Sequence, residues 1–126
     1  MPSQSAFDSI SGRILNPKDF DTVNLWSWQG SYPVKVQLNN GSSEPVDFTL
    51  EMTGEESPQP IGKEAVASYT QQITLGPGET KNVDVSMPTV TWGFSTSFVD
   101  TVLTLRKRRT AGDRPVSLDW KDFVIS

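Results

Sequence analysis

Val34-Lys35-Val36-Gln37-Leu38 and, after the turn-rich Asn39-Asn40-Gly41-Ser42-Ser43-Glu44-Pro45, the run Val46-Asp47-Phe48-Thr49-Leu50-Glu51-Met52 carry the clearest pattern in the chain. Successive side chains of a strand point to opposite faces. Val34, Val36 and Leu38 therefore share one face, with Lys35 and Gln37 on the other. Val46, Phe48, Leu50 and Met52 in turn oppose Asp47, Thr49 and Glu51. Two neighbouring runs with one dry and one wet face read as an antiparallel hairpin. The connection is too long for a two-residue turn, so Asn40-Gly41 does not set its register.

The same reading extends outward. Tyr69, Gln71, Ile73 and Leu75 precede Gly76-Pro77-Gly78-Glu79, and Val83, Val85 and Met87 follow. This is strand, turn, strand, with Gly78 supplying the positive φ that a type II turn needs after Pro77. Between the two patterns, Gly54 to Gly62 reads as a loop, and Ala65 and Ala67 leave a brief helix open. Upstream, residues 1–6 read as a flexible N-terminus and Phe7 to Leu15 as a first strand ended by Asn16-Pro17. Asp21 to Gln29 sets Trp26 and Trp28 on one side of a strand and Val23 and Leu25 on the other. Downstream, Thr89 to Val99 is polar-aromatic, with Gly93 marking a bulge or close approach. Arg106-Lys107-Arg108-Arg109 reads most simply as a hairpin tip in solvent; an anionic polysaccharide, phosphate or acidic protein is the functional alternative. Val116, Leu118 and Trp120 share one parity, Phe123 and Ile125 the other. A bulge at Lys121-Asp122 reconciles them and places Trp120 in the core. About eight or nine short strands and no long helix predict one all-β domain over residues 7–126. It is an antiparallel β-sandwich, with a jelly roll favoured over an immunoglobulin-like arrangement.

Composition narrows the function. A chain of 126 residues with 35% hydrophobic content suits one packed core. A net charge of −4 with eleven Lys and Arg residues argues against nucleic-acid binding, which draws on many phosphate contacts. The absence of Cys removes disulfides and thiolate chemistry, and the absence of His removes the commonest acid/base and zinc ligand. No apolar run of about twenty residues is present, so no membrane span is expected. No signal peptide is visible at Met1-Pro2-Ser3-Gln4-Ser5. Asn40-Gly41-Ser42 matches the N-glycosylation acceptor pattern, which without a secretory signal is read as chance.

The run from Tyr69 through Ile73-Thr74-Leu75-Gly76-Pro77-Gly78-Glu79-Thr80-Lys81 to Val83 and Val85 resembles accessory domains of immunoglobulin-like or jelly-roll type. Phe98-Val99-Asp100 to Leu105, and the ending Val116-Ser117-Leu118-Asp119-Trp120-Lys121-Asp122-Phe123-Val124-Ile125, are similar to the closing strands of galactose-binding-like carbohydrate-binding modules. That resemblance spans residues 20–125 as pattern. It implies a jelly roll attached to a polysaccharide-degrading enzyme, an extracellular location if that enzyme is secreted, and a structural calcium ion.

Sugar binding needs aromatic platforms for ring faces and polar groups for hydroxyls. Trp28, Trp92, Trp26 and Tyr32 are the candidate platforms, and Gln37 and Asn39, with Gln29 and Asn40, the candidate polar partners. For calcium, which takes oxygen ligands, Asp19 and Asp21, or Asp113, Asp119 and Asp122, are the available carboxylates; solvated surface is their simpler reading. Glu55 and Glu56 form no recognisable pair for two-carboxylate hydrolysis, and a His-dependent triad is impossible. The expected function is a non-catalytic carbohydrate-binding module with a polysaccharide or oligosaccharide partner and no cofactor. The alternative is a structural or protein–protein interaction sandwich.

Overall fold

The alternation at residues 34–52 belongs to two strands that do not pair with each other. In the computed structural model, which describes residues 3–24, 30–60, 63–90 and 98–126, β3 (Ser31–Asn40) lies between β1 (Ile10–Asn16) and β6 (Thr80–Pro88). β4 (Val46–Gln59) lies between β5 (Ala65–Leu75) and β7 (Phe98–Arg108) in a second sheet. β8 (Val116–Ile125) flanks β7, and the two-residue β2 (Thr22–Val23) runs parallel to the end of β8. Three strands, β1-β3-β6, thus face five, β2-β8-β7-β4-β5, and every ladder but β2–β8 is antiparallel. The chain is an antiparallel β-sandwich.

The expected hairpin is therefore a crossover. Alternation specifies that one face must be buried against another layer, and it does not specify which strand lies alongside. Here Val34, Val36 and Leu38 of one sheet and Val46, Phe48, Leu50 and Met52 of the other belong to one buried cluster. The strand, turn, strand at residues 69–87 makes the same kind of crossing at its turn. Gly78 has φ +69°, and Glu79 N–H donates to Gly76 O at 3.1 Å, as the type II reading requires.

Both crossings meet at Asn40. Its side chain is fully buried, and Nδ2 donates to the carbonyls of Glu44 (2.8 Å), Leu75 (3.2 Å) and Gly76 (3.0 Å). Its Oδ1 accepts from Ser42 N–H and Oγ–H at 2.9 and 2.7 Å. One amide thus joins the end of β3, the first crossover and the turn after β5. A buried side chain with every polar atom engaged is not a glycan acceptor, so the Asn40-Gly41-Ser42 match is structural.

Several strand boundaries differ from the sequence pattern, each for a packing reason. Gln4–Asp8, largely within the stretch read as a flexible end and a first strand, form a short helix α1 capped by Ser3 Oγ, which accepts from Ala6 N–H at 3.2 Å. Ala6 and Phe7 enter the core, and the first strand begins at Ile10. Residues 54–59, expected as loop, continue β4, and Ala65 and Ala67 belong to a strand rather than a helix. The inward parity runs on through Gly54 and Glu56, opposite Ala67 and Ala65. Small residues are accommodated there because Tyr32 and Met87 fill the layer above. A Cβ on Gly54 would lie 3.6 Å from Tyr32 Oη and 3.7 Å from Met87 Cε. Bulk has moved to the opposite sheet, so the hydrophobic signal fades while the strand continues.

The basic run is not a hairpin tip. Arg106, Lys107 and Arg108 lie within β7, and Lys107 faces inward. Its ammonium donates to Phe7 O (2.7 Å) and Ile10 O (2.9 Å) and sits 4.5 Å from the Phe7 ring centroid. Burial lowers the Lys107 pKa, an effect opposed by Asp8. This cation pins α1 and the start of β1 to the larger sheet.

Two outcomes follow from this packing. Asn40→Ala is expected to destabilise the domain by about 2–3 kcal/mol, because it strands buried carbonyls; urea unfolding with an unchanged m-value checks this. Tyr32 Oη is buried without a hydrogen-bond partner, and burial, then the charge of Glu56, raises its pKa above the ordinary value. The unfolded chain ionises its tyrosines near pH 10, so the Tyr32 contribution is intact below that pH and is lost as pH rises above it. Tyr32→Phe is expected to match or exceed wild-type stability at neutral pH and to show a shallower loss above pH 10 in denaturant titrations at stepped pH.

Candidate functional surface

The inward side of β8 decides what its outward side presents. Leu105 pairs with Asp119 and Arg106 with Ser117, so the extra residue, a bulge, falls at Leu118 rather than at Lys121-Asp122. From Asp119 to Ile125 the parity is then unbroken. Asp119, Lys121, Phe123 and Ile125 point inward; Trp120, Asp122 and Val124 point outward. Trp120 is 58% exposed, which corrects its expected place in the core.

The flanking residues fix the Trp120 backbone. Asp119 Oδ2 accepts from Ile14 N–H of the facing sheet at 2.8 Å, while Asp119 Oδ1 accepts from Trp120 N–H at 2.8 Å. Lys121 Nζ lies 3.9 Å from both Asp19 and Asp119 carboxylates. Asp19 Oδ1 also accepts from Asp122 N–H at 2.9 Å, and Phe20 N–H donates to Asp122 O at 2.8 Å. Phe20 is thereby held at the rim of β8 with φ +67° and is 91% exposed. A bulky residue in the left-handed region is uncommon and costs of order 1–3 kcal/mol. The loop holds this ring in solvent all the same.

Across the larger sheet, cross-strand partners line up in rows. Trp120 stands beside Thr104, Thr104 beside Thr53, and Thr53 beside Ser68. Arg106 Nη1 donates to Thr53 Oγ1 at 2.7 Å, laying a guanidinium along this hydroxyl row. Towards the β2 end, the next rows bring Glu55, Asp100 and Asp122 to the same face, with Glu64 at its margin. A depression of about 530 Å³ lies among them. Among the described residues, none of these four carboxylates makes an ion pair.

The opposite end is neutralised. Arg108 Nε lies 2.6 Å from Glu51 Oε1, and its Nη1 also donates to Asp113 O. Arg109 lies 3.3 Å from Asp113. Hydrogen bonding to Thr110, then to Arg109, holds the Asp113 carboxyl below the usual range. The outward face therefore grades from paired charges, through a hydroxyl row that carries Trp120 and the Arg106 guanidinium, to uncompensated acid.

Among the described residues, those expected to bind sugar do not converge here. Tyr32 is buried, and its ring meets Phe123 edge-on at 5.6 Å, leaving no face for stacking. Gln37 and Asn39 lie on the outward face of the smaller sheet. There Gln37 bridges Arg13 and Asn82 (3.1 and 3.3 Å), and Asn39 donates to Thr80 Oγ1 (2.9 Å). Asn40 is buried. Trp26, Trp28, Gln29 and Trp92 lie outside the described residues. Among the described residues no three acidic side chains gather as a cation site, and Asp19 and Asp21 accept from backbone N–H groups. Glu55 and Glu56 point to opposite faces, with Glu56 buried and accepting from Val90 N–H at 3.0 Å.

No protein-family model matches the chain, and no curated protein matches it. Among solved structures it is similar to the Pseudomonas fluorescens alkylpurine DNA glycosylase AlkC bound to DNA containing an abasic site analog. That match has a TM-score of 0.55 and 11% identity, over 93% of this chain and 30% of that one. A Bacteroides uniformis β-glucuronidase also matches, with a TM-score of 0.40 and 17% identity, over 93% of this chain and 13% of that one. This chain therefore spans less than a third of either protein, and at these identities the glycosylase match shows the sandwich fold alone.

Proposed function

We propose that this domain is a non-catalytic interaction module that binds a basic polypeptide surface through the outward face of its five-stranded sheet. The observation that carries the reading is the exposed, backbone-fixed Trp120 on the same face as uncompensated Glu55, Asp100 and Asp122. An exposed tryptophan on a fixed backbone suits a binding hot spot. Trp also attracts Lys or Arg over its face, and the adjacent carboxylates add electrostatic complementarity and faster encounter. The net charge of −4 is of the same sign, and it disfavours phosphate-rich partners, so the DNA in the glycosylase structure is not carried over. The strand order favours an immunoglobulin-like arrangement over the jelly roll. β8 lies between β2 and β7, and β1 pairs directly with β3, as first, second and fifth principal strands share a sheet in immunoglobulin domains.

A neutral polysaccharide is the second reading, favoured by the Trp120, Thr104, Thr53 and Ser68 row, which sets hydroxyls beside an aromatic face. It places the platform at Trp120 instead of Tyr32.

Immobilised wild type, Trp120→Ala and the charge reversal Glu55→Lys/Asp100→Lys separate these readings. The expected result is a basic protein retained by the wild type in a salt-sensitive manner. Trp120→Ala should bind it roughly thirty-fold more weakly, and the charge reversal should not retain it. Melting curves should show that Trp120→Ala alters stability by about 1 kcal/mol or less, since the ring is largely exposed. Retention unaffected by both variants would sink the outward-face reading. Saturable fluorescence quenching by a neutral glycan, abolished in Trp120→Ala, would establish the sugar reading in its place.

A further inference from the structure

The edges of the two sheets are guarded unequally. An edge strand exposes unpaired N–H and C=O groups, and proteins that remain monomeric blunt such edges with charge, proline, bulges or brevity. β1 carries Arg13 and a register break between Ile14 and Asn16. β6 carries Lys81, Asp84 and Pro88. β2 is two residues long. β5 has none of these devices. Its eleven residues, Ala65-Val66-Ala67-Ser68-Tyr69-Thr70-Gln71-Gln72-Ile73-Thr74-Leu75, contain no charge, no proline and no glycine, and they pair with β4 without a break from Ala65 to Leu75. Among the described residues no strand lies on its other side.

We infer that β5 is a dimerisation edge, pairing antiparallel with β5 of a second copy of this chain about a two-fold axis at Thr70. Three observations select that occupant. First, self-pairing sets each strand against its own composition, and an uncharged strand meets no like-charge repulsion. With Thr70 on the axis the full strand is paired. Outward, Ser68 then faces the partner's Gln72 and Val66 faces the partner's Thr74, polar and β-branched pairs that favour sheet formation. Second, antiparallel pairing keeps the two acidic ends apart, because Glu64 and Glu55 adjoin one end of β5 and Arg108 and Arg109 the other. Each acidic end is set towards the charge-paired end of its partner, where Arg108 and Arg109 already meet Glu51 and Asp113, and away from the partner's own acidic end. Third, among the described residues every other edge carries one of these guards, so a two-fold contact at β5 consumes both open edges and stops at two copies.

The product is a ten-stranded sheet with one continuous outward face. The two Trp120 positions are separated by seven strand spacings, roughly 34 Å at about 4.8 Å each. A contact through one edge falls in the size class of transient complexes, below about 1,200 Å², so dimerisation depends on concentration. The inference stands apart from the Trp120 reading, since β5 lies at the far side of the sheet from β8.

Sedimentation velocity across a wide concentration range, on the full chain, tests it. The wild type is expected to shift from monomer to dimer. Ser68→Lys/Gln72→Lys sets lysines opposite one another across the axis and should remain monomeric, with an unchanged circular dichroism spectrum because both positions are exposed. Ser68→Glu/Gln72→Glu should behave likewise, and an equimolar mixture of the two variants should restore a dimer containing one of each. Wild type that stays monomeric at high-micromolar concentration overturns the inference. So does dimerisation that persists in the lysine variant, or a mixture that gives no heterodimer. Loss of the dimer in Trp120→Ala with β5 intact would assign the contact to the outward face instead.

Discussion

The buried amide of Asn40 is the point on which the separation into two sheets depends. Each sheet is held internally by ladders, but the chain passes from β3 to β4 and from β5 to β6, and both passages leave backbone carbonyls at the edge of the core. Asn40 satisfies carbonyls from the two together, across a sequence separation of 35 and 36 residues for Leu75 and Gly76. An apolar residue of similar size would fill the space but leave those carbonyls unpaired, at a cost comparable to a lost hydrogen bond or more. At the same end of the sandwich, Lys107 does for α1 what Asn40 does for the crossovers. Polar groups enter this core at its rims, where backbone leaves the ladders and must find other partners.

That logic explains how much of the fold was legible in the sequence. Strand positions came through at residues 34–38, 46–52, 69–75 and 83–87, because burial on one face imposes a period of two whichever strand lies alongside. Pairing did not come through. The same alternation serves a hairpin and a sandwich crossover, and the residue that distinguishes them, Asn40, reads in isolation as a turn former or a glycan acceptor. The far half of β4 was invisible for a different reason. Its inward positions are Gly54, Glu56 and Pro58, none of them a large apolar strand former, because Tyr32 from the opposite sheet fills the layer over Gly54. Local hydrophobicity cannot report a strand whose buried volume is supplied by another strand.

The binding surface was harder to read than the fold. Trp120 lies in a run with Val116 and Leu118 at the same spacing, and a bulge was needed to join that run to Phe123 and Ile125. Placing the bulge at Lys121-Asp122 buries the tryptophan; placing it at Leu118 exposes it. Sequence alone offers no energetic preference between the two. The preference comes from Asp119, whose carboxylate reaches the Ile14 amide of the other sheet only if residue 119 points inward. Tyr32 shows the converse error. An aromatic near a loop looked like a platform, while in the fold it is the ring that covers Gly54 and meets Phe123.

The two exposed features of the larger sheet have a common origin in how its edges are closed. On the β8 side, Asp119, Lys121 and Asp19 tie the strand to β1 and to the preceding loop. The sheets approach one another there, and Trp120 is forced outward on a fixed backbone. On the β5 side no comparable side-chain tie to β6 is present among the described residues, although Val83, Val85 and Met87 of β6 share the core with Ile73 and Leu75. The sandwich is thus fastened along one side and left open along the other. A rigid presentation surface requires the first; addition of another strand requires the second. The absence of charge from β5 has no packing reason, since Ser68, Thr70, Gln72 and Thr74 all point to solvent, where Lys or Glu would fit as well. Neutrality there removes the commonest barrier to strand addition, and that is the property by which this edge differs from the others.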